Sequence, residues 1–369
     1  MPTSSGPNTA ADSNIIFSYD TADVINSYRG EPTTNLYTTL GFSFYQEEGG
    51  HSATRTAGAA PGLNLPTNYD YHTITTTSNW ENESKRLIIW PNNSLTGSTT
   101  YYVSFWARVI SKQTAQIGSA FYGNALNNTL NLTSQWQRFS FSSITNSTYR
   151  ALEIGSKDGA LVFQIAGLQI EAKSHVTPYV NGTRSATQGL VPLIGNSSLD
   201  LSNVSFDSAA QITFDGTNDY INVSTNFGTV TQYTVEYVAY QGAYAKMPIA
   251  SRTNSTFYKF GDYSWRYTHG GIGDEFYHSQ TPSISGYIHC IVTYDGDLVK
   301  VWRNGYYAGS KASAGTADFS NGFKIGYWSD GGDYAWLGDI PIIKIYNTSL
   351  SPEQVKQNYQ KYKSRFNLS

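Results

Sequence analysis

IHCIVTYDGDLVKVWRNG, residues 288–305, is the stretch that decides the fold class. Ile288 to Tyr294 alternates and is β-branched, and Asp295-Gly296 supplies a tight turn. Leu298 to Trp302 then runs on to Asn304-Gly305, the dipeptide best suited to a two-residue hairpin turn. Two hairpins in succession make an antiparallel sheet. Further on, Leu337 to Asn347 (LGDIPIIKIYN) reads as one more strand. Ser351-Pro352-Glu353-Gln354 then reads as a helix start, with Ser351 as N-cap, Pro352 at the first position and Gln354 reaching back to the cap. The short helix that follows places Val355, Tyr359, Tyr362 and Phe366 on one stripe, enough to dock it on a sheet.

Together with the upstream ITFDGTNDYINV, the segments IHCIVTYDGDLVKVWRNGYYAGS and LGDIPIIKIYNTSLSPEQV resemble the laminin-G-like, concanavalin-A-type jelly rolls of bacterial and phage surface proteins. The resemblance covers residues 188–369 and implies a β-sandwich there. It leaves the ligand open, because this sandwich carries lectins, adhesins, hydrolases and structural modules alike.

The 369 residues are too many for one ordinary sandwich and suit two domains. Aromatics at 15% and charged residues at 14%, with recurrent Gly, Ser, Thr and Asn, fit an all-β chain rich in turns. Thr99 to Val109 (TTYYVSFWARV) alternates, with Tyr101, Val103, Phe105, Ala107 and Val109 forming the apolar, core-facing set. Further strands are expected at Gln135–Ser142, Arg150–Gly155 and Leu161–Glu171. LTGSTTYYVSFWARV, WQRFSF and LVFQIAGLQIEAKSHVTPYVNGTRSA resemble carbohydrate-binding-like, galactose-binding jelly rolls found in phage tail and virion proteins. The expected organisation is therefore an all-β chain of two antiparallel jelly-roll sandwiches with a short C-terminal helix. Residues 1–13 form an arm, 33–185 the carbohydrate-binding-like jelly roll and 188–369 the laminin-G-like one, across the short polar joint NGTRSATQG (181–189). The strand near Ile15–Asp20, within 14–32, is isolated in sequence. IIFSYDTADVINSYRG resembles the segment that opens the laminin-G-like sandwich in phage proteins, and the resemblance implies that it pairs with the C-terminal sandwich, which makes the module between them an insertion.

A net charge of −3 with no basic stripe gives nucleic-acid binding no support. No apolar run approaches membrane-spanning length, so no membrane insertion is expected. Met1 to Asn14 lacks the charged and apolar regions of a signal peptide; with that, the phage resemblance implies synthesis in a host cytoplasm and a final place on a virion surface. Asn-x-Ser/Thr triplets at Asn131, Asn146, Asn222 and Asn347 are then solvated loops and strand edges. The single cysteine, Cys290, reads as a small buried hydrophobe in its strand.

Chemistry is sparse. A glycosidase needs two carboxylates facing each other across the bond, and no Glu-x-Asp-x-x-Glu run is present. Asp274-Glu275 lie in a Gly-rich loop, Glu236 stands alone on the strand 233–240, and His269, His278 and His289 show no partner chemistry. His269 and His278, in the loop segment 261–281, read as surface residues. The expectation is a non-enzymatic protein that requires no cofactor. The laminin-G resemblance implies calcium at one rim, for which Asp215, Asp219 and Asp339 are the candidate oxygen ligands. Asp215-Gly216 forming a turn that Asp219 caps is the other reading. Sugars need exposed aromatic faces beside short polar groups, and two loops qualify: Tyr327, Trp328, Asp330, Asp333, Tyr334 and Trp336 in one, Trp265 and Tyr267 in the other. Those aromatics packing under their loops is the alternative.

From the phage resemblance two roles follow. One is a structural or decoration protein on a tailed-phage head or tail, self-associating, contacting other virion proteins and host surface glycans. The other is a receptor-binding tail fibre or adhesin that holds host polysaccharide. No heptads, collagen-like triplets or β-helical repeats announce a fibre stalk, which favours the first.

Overall fold

A computed structural model describes residues 14–37, 44–46, 52–65, 70–77, 87–89, 95–122, 128–148, 150–241, 249–250, 257–260, 265–268, 275–278, 286–312, 315–320, 322–328 and 334–368. The chain is all-β, with antiparallel sheets and one α-helix, Pro352–Phe366, among these residues. It divides into two units. One takes the chain up to Pro32, Ser185–Asp207 and the chain from Gln211; the other takes Thr33–Arg184 and Ser208–Ala210.

In the first unit a six-stranded sheet runs in the order Ile15–Asp20, Ile342–Tyr346, Tyr233–Gln241, Gly286–Tyr294, Leu298–Arg303, Tyr306–Ala312. The strand Ile15–Asp20 lies at its edge, antiparallel to Ile342–Tyr346 with Tyr19 opposite Ile343. A second sheet is ordered Ser198–Asn203, Tyr220–Ser224, Phe323–Ile325, Ile249–Ala250, Phe257–Phe260, Trp265–Thr268, Glu275–His278. Between them lies the main core. Phe17, Val235, Tyr237, Val292 and Ile345 come from one sheet, and Leu199, Ile221, Val223, Phe323 and Ile325 from the other. Cys290 is buried in this core, and burial pushes its thiol up to about 12, far from reactive.

The two hairpins form in the register that their turns dictate. Asn304 and Gly305 both take positive φ (45° and 77°), as a two-residue turn of this hand requires. Leu337 to Asn347 is not one strand. Pro341, which has no N–H for a ladder, divides it: Leu337–Gly338 pairs with Ile212–Asp215, and Ile342–Tyr346 joins the six-stranded sheet. The segment 261–281 is not a plain loop either, for Trp265–Thr268 and Glu275–His278 pair as an antiparallel ladder. Their aromatic and β-branched runs outweigh the glycines around them.

The helix lies on the outer face of the six-stranded sheet. Val355 packs with Ile15, Ile291, Trp302, Tyr346 and Leu350, while Tyr359 and Tyr362 pack with Val238 and Ile342. With both faces covered, Gly286–Tyr294 and Ile342–Tyr346 are buried almost throughout, as a doubly covered sheet demands. The expected cap forms in full: Ser351 Oγ accepts from the Gln354 N–H and Gln354 Oε1 accepts from the Ser351 N–H.

The second unit is a sandwich of two five-stranded sheets. One is ordered Gln137–Ile144, Thr100–Val109, Leu161–Glu171, Tyr71–Thr76, Ser52–Thr56; the other Phe44–Gln46, Leu87–Ile89, Leu152–Ser156, Thr114–Phe121, Asn128–Thr133. Tyr101, Val103, Phe105, Ala107 and Val109 all enter its core. The closing segment after Glu171 is held by a buried polar clasp. Glu171 accepts from Thr33, from the Thr177 hydroxyl and from the Thr177 N–H, and Gln169 Oε1 accepts from the Val180 N–H. The unit's two ends are joined by a ladder between Thr33–Thr34 and Thr183–Arg184.

Candidate functional site

The outer face of the seven-stranded sheet carries the arrangement most suited to a ligand. In Tyr220–Ser224 and Phe323–Ile325 the apolar residues Ile221, Val223, Phe323 and Ile325 point into the core, so period-2 alternation turns Tyr220, Asn222 and Lys324 outward. Asn222 lies opposite Lys324 on one neighbour and opposite Asp200 on the other, a polar row across three strands. At the end of the strand, Gly326 takes φ +91°, and a Cβ there would stand 2.3 Å from the Phe214 ring; only glycine fits this turn. The turn brings Tyr327 alongside Tyr220, ring centroids 6.1 Å apart and planes 21° from parallel. Lys324 Nζ sits 4.0 Å from the Tyr220 ring centroid and 5.8 Å from that of Tyr327. The result is a half-buried aromatic pair with a cation over it and amide and carboxylate groups beside it.

Of the expected glycan residues, Tyr327 belongs to this patch. Trp336 does not: it is 2% exposed, built into the main core, its backbone N–H donating to Gly326 O at 2.7 Å. A large ring at a loop end found the core, and this expectation is corrected. Trp328 and Tyr334 pair through their backbones, and Trp265 and Tyr267 lie on the strand Trp265–Thr268; the side chains of all four are outside the described residues. Asp330, Asp333, His269 and Asp274 lie outside them altogether. Tyr220, Asn222 and Lys324 escaped sequence reasoning. Their signal was present, since each is an outward position in an alternating run, but nothing in the sequence said that the two runs are neighbours.

The calcium ligands do not assemble. Asp215 Oδ1 accepts from the Thr217 and Asn218 N–H groups, and Asp219 Oδ2 accepts from the Asp215 and Ser205 N–H groups. These are turn-holding bonds, the alternative that the sequence allowed. Asp339 accepts from the Tyr287 hydroxyl at 3.3 Å, and burial raises its carboxyl above the usual range. Among the described residues no three His, Cys, Asp or Glu side chains are grouped to hold a metal ion, whereas calcium takes six to eight oxygens. The three aspartates therefore do not fit calcium as placed.

Glu236 does not stand alone. It is fully buried beneath the helix, with Oε1 2.9 Å from His289 Nε2 and Oε2 accepting from the Tyr346 hydroxyl at 2.7 Å and from Asn358 Nδ2 at 2.9 Å. Lys344 Nζ stands 3.8 Å away. Burial pushes this carboxyl up, but the Lys344 charge, the His289 contact and the Tyr346 bond outweigh it and hold it at about 2. A carboxylate enclosed by sheet and helix meets no substrate; its partners make it a structural ion cluster.

Residues 215–356 match the family model of the Concanavalin A-like lectin/glucanases superfamily. Over that stretch the chain is similar to the lectin-like jelly rolls of that superfamily. No curated protein matches the chain. Similar solved structures include domain 4 of AbnA, a GH43 extracellular arabinanase from Geobacillus stearothermophilus, in complex with arabinotriose, at 16% identity, 44% of this chain, 81% of that chain and TM-score 0.34. A heptameric SAP-like pentraxin from Limulus polyphemus is similar at 18% identity, 39% of this chain, 78% of that chain and TM-score 0.32. The CBM22-1 xylan-binding domain from Paenibacillus barcinonensis Xyn10C is similar at 14% identity, 38% of this chain, 94% of that chain and TM-score 0.27.

Proposed function

We propose that this chain is a non-enzymatic glycan-binding surface protein whose lectin-like sandwich presents Tyr220, Tyr327 and Lys324 to a saccharide. The observation that carries this reading is the stacked ring pair with its cation on the outward side of the strands Tyr220–Ser224 and Phe323–Ile325. A pyranose offers C–H patches and hydroxyls together. The rings serve the first, and Lys324, Asn222 and Asp200 are hydrogen-bonding groups for the second. Glu236, the one of the three candidate catalytic carboxylates whose side chain is described, is taken up in the buried cluster, which favours binding over hydrolysis. In its wider setting the protein is a decoration or accessory protein on a tailed-phage virion, associating with other virion proteins and with its own copies and touching host glycans. That part rests on the likeness of its segments to phage jelly rolls.

The test is binding of the purified protein to an array of bacterial surface polysaccharides, beside Tyr327→Ala and Lys324→Ala. Saturable binding that Tyr327→Ala weakens roughly tenfold, equivalent to about 1.4 kcal/mol, supports the reading. Binding that neither variant changes, or a folded wild type that binds no glycan, overturns it.

A further inference from the structure

The second unit carries a row of polar side chains on the outer face of its sheet that no fold requirement explains. Thr54 lies opposite Thr73, Thr73 opposite Gln164 and Gln164 opposite Arg108, so the four cross the sheet in one line. Three of them are joined one to the next: Gln164 Nε2 donates to Thr73 Oγ1 at 3.1 Å and Arg108 Nε donates to Gln164 Oε1 at 2.9 Å. Trp136 follows at the far end, because Gln137 lies opposite Ala107 and Trp136 is the residue before it. Its ring takes the Arg108 guanidinium at 4.8 Å, and its Nε1 is itself fixed by donating to Pro61 O at 3.0 Å. Arg108 is therefore held on one edge by an amide and on one face by an anchored indole.

That leaves the two terminal nitrogens of the guanidinium. Among the described residues they have no hydrogen bond and no ion pair, although the group is only half-buried. The neighbouring Arg138 is the contrast. It lies over Trp106 at 4.8 Å, but its Nη2 donates to Ser104 Oγ and Thr177 O, so its bonds serve the fold. The acid Asp70 is paired with Arg55. A guanidinium immobilised by stacking, with its fork open, matches the two oxygens of a carboxylate.

We infer that Arg108, flanked by Trp136 and Gln164, is a carboxylate-recognition subsite for an acidic saccharide on the second unit. The indole edge and the Gln164–Thr73 row offer apolar and hydroxyl-binding surface to the sugar ring that carries the carboxylate. The Tyr220–Tyr327 patch belongs to the other unit, so the inference stands whether or not that patch binds glycan.

The test is calorimetry of the full chain with a uronic-acid oligosaccharide and with the same oligosaccharide after reduction of its carboxyls. Arg108→Lys keeps the charge and loses the fork, and Arg108→Ala loses both. The expected result is salt-sensitive uronide binding that Arg108→Lys weakens roughly tenfold and that carboxyl reduction removes. Thermal melting shows whether each Arg108 variant is folded, and the carboxyl-reduced ligand gives the same answer on the unaltered protein. Equal binding of charged and reduced ligands, undiminished uronide binding by folded Arg108→Ala, or tighter binding of a poly-glutamate peptide than of the uronide would each overturn the inference.

Discussion

Glu236 shows what one residue can contribute and conceal. Glu236→Ala leaves Lys344 and His289 buried beside an empty place, and we expect a loss of about 3–5 kcal/mol in urea denaturation. Its pH dependence has a definite sign. The folded carboxyl sits at about 2, below its ordinary 4.5, so its stabilisation is complete above 4.5 and disappears as pH falls towards 2. The difference in urea midpoint between wild type and Glu236→Gln should therefore shrink across that window; a constant difference would remove Glu236 from acid unfolding. None of this was legible in sequence, since His289 and Asn358 lie 53 and 122 residues away, the first brought in by strand pairing and the second by the docking of the helix. Trp336 escaped for the opposite reason. Glycines around it read as an exposed loop, yet its own size made burial the better outcome. Trp336→Ala should cost about 3–5 kcal/mol, so a loss of glycan binding in that variant would report unfolding and not a missing contact.

At the scale of elements, local chemistry was decisive wherever it was dense. The Ser-Pro-Glu-Gln start, the Asn-Gly turn and the alternation of Thr100–Val109 each combine several signals within ten residues, and each forms as read. Pro341 is an equally plain signal, but the apolar run around it reads as continuous. The helix is fastened at both ends, by its cap and by the Arg365 guanidinium, whose two nitrogens donate to the two carboxylate oxygens of Asp20 at 2.6 and 2.5 Å. Ser351→Ala should cost about 1 kcal/mol, measured as a shift in urea midpoint. Gly305→Ala should cost more than that. Its φ of +77° strains any side chain, and the added Cβ would stand 2.6 Å from Tyr359 Cδ1, pushing the hairpin tip off the helix. A Gly305→Ala protein as stable as wild type would mean that the hairpin and helix do not press together.

At the scale of the molecule, the chain leaves one sandwich at Pro32 and re-enters it at Ser185, with a second sandwich built from the residues between. The second has its own core and its own stem, the Thr33–Thr34 and Thr183–Arg184 ladder. Residues 33–184 expressed alone should therefore melt cooperatively in calorimetry, with far-ultraviolet dichroism of β type; a chain that stays unfolded would make the insertion dependent on its host. The host has the reverse problem. Its edge strand Ile15–Asp20 meets its partner only when Ile340 and the strand after it have been made, 321 residues beyond Tyr19. On a ribosome adding about 5–20 residues per second, that interval is roughly 15–65 s. The inserted sandwich emerges whole within it, while Phe17 and Tyr19 remain without their sheet. The guest is thus finished before the host has begun to close, and for that time the nascent chain carries two exposed aromatics that a chaperone is suited to cover.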